Sequence, residues 1–236
     1  MPLIEISSAF ISSLMISPFM TIIDLSLLHS QYYKENLLVS FNKTINNYFN
    51  KKIIKPLFIM NNVYFSTYLG ANLTEYYCKT NNIDYKLPTL FITSSINIFA
   101  IILKDKKYSL YFNNKIKFGL NSLLLFALRD SITIGSCFII KKDVINKLDK
   151  FNNNHNFNDF FASLFVPIIA QFINSPIHIL GIDYAQRPNN IHFIQRIELI
   201  KQLYKNILLG RIIRILPAFG IGGFFNDMMR SFRYYE

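Results

Sequence analysis

Four stretches of the chain, Ile6 to Ile23, Pro56 to Thr74, Leu87 to Leu103 and Phe160 to Ile182, contain no Asp, Glu, Lys or Arg. As a helix rising about 1.5 Å per residue, each is long enough to cross a hydrocarbon layer roughly 30 Å thick. Two further stretches are apolar except for charges inside them: Phe118 to Ile140 around Arg129 and Asp130, and Ile207 to Met229 around Arg211, Arg214 and Asp227. None of the six alternates with period two, and all exceed the length of a barrel strand, so the pattern predicts helices. The expected fold class is an all-α membrane protein with six transmembrane helices.

Composition agrees and narrows the field. Of 236 residues, 51% are hydrophobic and 17% charged, too apolar for a disordered chain. The net charge of +11 would suit nucleic acid, yet the basic residues are spread between apolar runs and form no basic face or tail. No nucleic-acid partner is expected. Cys78 and Cys137 lie in or beside apolar runs without metal-ligand spacing and read as buried thiols. Glu5 is the one charge before Phe19 and no small-residue cleavage pattern follows, which disfavours a cleaved leader.

Charge sorted by connection gives an orientation. Residues 31–55 and 104–117 each carry +4 and residues 183–206 carry +2, whereas residues 75–86 sum to zero and residues 141–159 to +1. Such alternation puts the odd-numbered connections on the negative-potential side and both termini opposite. Within the fifth connection Ile191, Ile194, Ile197 or Glu198, and Ile200 or Lys201 fall near helical spacing, which predicts an amphipathic helix lying along the interface.

The chain also resembles itself. The segment from Arg129 to Lys142, RDSITIGSCFIIKK, aligns with RILPAFGIGGFFND from Arg214 to Asp227 at an offset of 85 residues, and Pro18 and Pro176 stand in SPFMTIID and SPIHILGID. On these segments the sequence resembles the mitochondrial carrier family, whose members are three tandem repeats of two membrane helices. Gly210, Arg214, Pro217, Phe225, Asp227 and Arg230 fall in register with that family's even-helix pattern, and Glu75 with nearby Lys79 is one place off it. The resemblance implies three repeats forming one membrane domain: residues 1–86, 87–154 (shortened) and 155–236. It implies residual gate charges at Glu75, Lys79, Asp227 and Arg230, cavity positions at Asn62, Arg129, Asp130 and Arg214, and helix kinks at Pro18, Pro176 and Pro217.

Departures from that pattern shape the functional expectation. Met20, Asn97 and His178 replace the acids of the odd-helix motifs, so one of the two gates that carriers need is missing. The expectation is a degenerate carrier: a non-transporting accessory subunit of a respiratory-chain complex such as cytochrome c oxidase, in the mitochondrial inner membrane with its odd connections on the matrix side and both termini in the intermembrane space. Its partners would be membrane lipids and other membrane subunits, and cardiolipin the one bound small molecule. The alternative is a divergent solute carrier exchanging a small anionic metabolite at its arginines, which offer bidentate donors to carboxylate or phosphate. No cofactor, metal cluster, nucleophile with a base or phosphate-cradling glycine loop is evident, and no enzyme is expected. His178 reads as a hydrogen-bonded core residue, and GIGG at Gly220 to Gly223 as close helix packing.

Overall fold

A computed structural model describes residues 2–33, 37–46, 54–111, 119–151, 153–186 and 192–231. These residues form nine α-helices: α1 (Pro2–Tyr33), α2 (Leu37–Asn46), α3 (Ile54–Thr80), α4 (Lys86–Tyr111), α5 (Leu120–Gly135), α6 (Lys141–Leu148), α7 (His155–Gln186), α8 (Phe193–Ile215) and α9 (Gly222–Ser231). π-Helical segments at Ser136–Ile140 and Leu216–Ile221 join α5 to α6 and α8 to α9 without a break. Each of the six apolar runs falls largely in helix. Among the described residues five helical passes are long and apolar enough to cross a membrane: Pro2–Leu27, Lys86–Asp105, Leu120–Leu148, His155–Tyr184 and Phe193–Ser231.

The passes close into a ring in chain order. α1 packs on α3, α3 on α4, α4 on α5, α5 on α7, α7 on α8, and α1 closes against α8 and α9. Apolar surface points outward and polar side chains inward, the reverse of a water-soluble bundle. Along α1, Phe10, Leu14 and Phe19 are exposed, whereas Ser8, Ser12, Ser17, Thr21 and Asp24 are buried. A helix facing lipid has no hydrophobic reason to bury leucine, so small and hydroxylated residues take the interface and let the backbones approach. The hydroxyls of Ser8, Ser17 and Thr21 return to their own helix, Thr21 donating to the Ser17 carbonyl at 2.7 Å.

α3 explains why the fold is harder to recognise than it is to build. It spans 27 residues yet is not among the five apolar passes, because Asn61, Thr67, Asn72, Thr74 and Glu75 are buried among its neighbours. Sheathing by α1 and α4 relieves it of facing lipid with those side chains. A tight turn follows, where Asn82 takes φ 55° and Ile83 donates to the Cys78 carbonyl at 2.8 Å. Asparagine tolerates that left-handed conformation and ends the helix.

Two local expectations need correction. The fifth connection holds no separate interfacial helix: from Phe193 the chain runs helically into the last pass, and the Tyr204 hydroxyl donates to the Phe172 carbonyl of α7 at 3.3 Å. The apolar spacing does not mark the face packed on α7: Ile194 and Ile197 are exposed, Arg196 is the buried residue and pairs with Asp183 of α7, and Ile191 lies outside the described residues. α4 continues through the expected third connection to Tyr111, while residues 112–118 lie outside the described ones. Pro18 and Pro176 sit inside unbroken helices, as does Pro167, and Pro217 opens the second π-helical segment.

Candidate functional site

At the end of the ring that holds the termini, acids and bases knit five helices together. The Arg230 guanidinium bonds Glu5 at 2.5 Å and Glu75 at 2.9 Å, with Asp227 at 3.7 Å. Lys79 meets Glu75 at 2.7 Å, Lys142 bonds the same carboxylate, and Lys141 bonds Asp227 with Asp159 at 3.7 Å. The four sequence-predicted gate charges, Glu75, Lys79, Asp227 and Arg230, are therefore brought together. Sequence reasoning missed Glu5, Lys141, Lys142 and Asp159, having counted the lysines as loop charge when the Lys141 side chain is 2% exposed. Asn72 and Asn226, both buried, exchange two hydrogen bonds beside the network.

An aromatic layer lies further into the ring. Tyr68 stands edge-on to Phe138 and Phe219 with centroids 6.1 Å away, and Tyr64 lies edge-on to Phe219 at 5.9 Å. The Tyr68 hydroxyl donates to the Ala218 carbonyl. Both π-helical segments supply a phenylalanine here, and the extra residue of a π-turn is what turns these rings inward from helices otherwise set for lipid. The layer and the ion network close the ring at this end.

Beyond the aromatic layer the arginines collect. Arg129 bonds Asp130 through Nε at 2.7 Å and Nη2 at 2.6 Å, donates to His178 Nδ1 at 2.8 Å, and lies over the Phe126 ring at 4.8 Å. Arg214 reaches Asp24 at 3.1 Å, and the same carboxylate takes Lys104 at 2.7 Å. Arg211 donates its Nε to Gln171 Oε1 at 2.9 Å and interacts electrostatically with Arg129, Asp130 and Arg214. Thus Arg129, Asp130 and Arg214 lie near one another, joined by Asp24, Lys104, Gln171, His178 and Arg211, which the sequence did not assign to a site. Asn62 is not: it is exposed, and its neighbour Asn61 is the buried one, 7% exposed with an unpaired Oδ1. One position along a helix turns a side chain by about 100°.

The two charge centres differ in balance. In the arginine centre Arg129, Arg211, Arg214 and Lys104 face Asp24, Asp130 and, at 3.2 Å from Lys104, Asp105. Among the described residues Arg211 makes no ion pair with an acid: Asp130 acts on it only at longer range, and its bonded neighbour Gln171 is neutral. A guanidinium enclosed by helices without a counter-ion is costly, and a carboxylate from a ligand is the complement it lacks. Access is present: the Arg214 side chain sits deep between α1 and α8 yet keeps 37% of its surface exposed.

Against known families, residues 8–233 match the profile described as "Probable citrulline exporter". Comparison with curated proteins and with solved structures gives no match. The match corrects two expectations. It overturns the resemblance to the mitochondrial carriers, since the family that matches is a different one. It equally overturns the accessory-subunit role in a respiratory complex, since that role was inferred from motifs the chain has no reason to keep. The placement in the mitochondrial inner membrane rested on the same resemblance. With almost its whole length covered by one profile, the chain belongs to the family described as "Probable citrulline exporter".

Proposed function

We propose that this protein exports a small zwitterionic amino acid, citrulline in keeping with its family, across a membrane. Six passes form the transport unit, α3 being the sixth, paired in chain order around the ring. The observation that carries this is Arg211, a guanidinium whose bonded partner is neutral and which has no acid in contact among the described residues. It takes the substrate carboxylate. Asp130 offers its Oδ1 to Arg129, and its second oxygen, which has no partner among the described residues, takes the α-ammonium. The protein's part is binding and release, with no covalent chemistry. The odd connections face the more negative side of the membrane, and the termini, with the closed ion network, face the other.

Efflux of radiolabelled citrulline from preloaded proteoliposomes tests the proposal. Saturable efflux that Arg211→Gln reduces by about a hundredfold, as loss of a charge-assisted carboxylate clamp demands, is expected. Efflux no faster than from empty vesicles would overturn it.

A further inference from the structure

One face of α7 presents, in successive turns toward the arginine centre, Gln171, Asn174 and His178. Gln171 holds Arg211. Asn174 is fully buried, and its Nδ2 donates to Thr133 Oγ1 at 2.9 Å. The Thr133 hydroxyl donates in turn to the Arg129 carbonyl at 3.0 Å, so its oxygen can only accept, which fixes the orientation of the Asn174 amide. Asn174 Oδ1 is then a buried acceptor with no partner among the described residues. At His178 the logic is reciprocal. Arg129 can only donate, so Nδ1 accepts and the proton sits on Nε2, which has no hydrogen-bond partner among the described residues. An orphan acceptor and an orphan donor therefore stand one turn apart, roughly 6 Å between Cβ atoms, on the helix that positions the carboxylate clamp.

We infer that Asn174 Oδ1 and His178 Nε2–H select a substrate whose side chain ends in a neutral ureido or carboxamide group. The N–H of that group donates to Asn174, and its carbonyl oxygen accepts from His178. Gln171 sets the spacing, because it ties Arg211 to the same helix face. The surrounding arginines reject a side chain ending in an ammonium or guanidinium by like-charge repulsion, and an apolar side chain leaves the buried Asn174 acceptor unsatisfied and gives His178 Nε2–H no partner. The inference rests on the proposal of amino-acid export and adds the basis of its selectivity.

Competition in the same proteoliposomes tests it, with unlabelled glutamine, ornithine and norvaline against labelled citrulline. Glutamine should compete, while ornithine and norvaline should need about ten- to a hundredfold more. Asn174→Asp should shift preference toward ornithine, Asn174→Leu should weaken citrulline by a similar factor, and His178→Gln, which keeps an N–H donor, should retain activity that His178→Leu loses. Equal competition by all three amino acids, or unchanged selectivity in folded Asn174 variants, overturns the selectivity inference while leaving export standing. Absence of citrulline efflux from wild type overturns both.

Discussion

The ring carries two charge centres built from the same residue types, and they do opposite work. At the terminal end Glu5, Glu75, Asp159 and Asp227 face Lys79, Lys141, Lys142 and Arg230, equal numbers of acids and bases shared among α1, α3, α6, α7 and α9. In the arginine centre cations outnumber acids, and Arg211 rests on an amide. Charges withdrawn from water are tolerated when each finds a partner within the protein, so a balanced cluster holds helices together. A cluster left one anion short is instead complementary to something that arrives.

Removing one charge from each centre separates these roles most sharply. Arg230→Ala leaves the Glu5 and Glu75 carboxylates, 2% and 5% exposed, without their strongest partner, and breaking such a pair costs about 3–5 kcal/mol. Heating in detergent with a thiol-reactive dye reports this, because both cysteines are buried and become reactive on unfolding. A transition well below wild type is expected, and an unchanged one would mean the network is not structural. Arg211→Gln should leave that transition near wild type, since it removes a cation from a cation-rich site and keeps a donor for Gln171. Its transport should fall about a hundredfold, equivalent to about 2.7 kcal/mol. Were it to unfold the protein as Arg230→Ala does, the contrast would collapse.

Much of this architecture is legible in the sequence, and the illegible parts have physical causes. The apolar runs mark the passes because a lipid-facing surface demands them. They under-report helix length: α1 continues past Ile23 to Tyr33, and Asp24, just beyond its run, is a ligand of the arginine centre. Lys141 and Lys142 follow an apolar run and look like loop charge, yet the helix carries on through them and turns them into the ring. Pairing such as Lys142 with Glu75 is a tertiary fact with no local sequence signal. Arg211 was visible as a charge within a run, but that its neighbour would be Gln171, forty residues away, was not. The π-helical segments are equally silent, although they decide that Phe138 and Phe219 face inward. The carrier resemblance misled for the same reason in reverse: Asp227 and Arg230, three apart on one face of α9, meet the same network, and such i,i+3 spacing is what any helix face offers to a charge cluster.

A third variant asks whether closing the terminal end needs close backbone approach as well as charge. A Cβ on Gly222 would overlap the Ile16 side chain and come within 2.6 Å of the Tyr68 hydroxyl, which bonds the second π-helical segment. Gly222→Ala should cost about 1–3 kcal/mol through overpacking between α1 and α9. Pairing it with Ile16→Ala, which vacates the space, should recover part of the loss. Additive losses in the double variant would show that the two residues do not meet.

The smallest effect comes from an ion cluster that water can reach. In the turn between α6 and α7 Asp149 accepts from the Asn158 amide at 2.7 Å and pairs with His155 Nδ1 at 2.8 Å. The Asn158 donation, joined by that of His155, holds the carboxyl below its ordinary range. A carboxyl lowered on folding stabilises the protein above the unfolded value of about 3.9 and loses that contribution as pH falls through the lower folded value, so the relevant window lies below about pH 4. Exposure screens the interaction, and the contribution should stay well under about 1 kcal/mol. Asp149→Asn should therefore flatten the acid limb of the stability profile slightly and leave neutral stability and transport alone, whereas a loss approaching that of Arg230→Ala would mean that enclosure is not what gives the terminal network its strength.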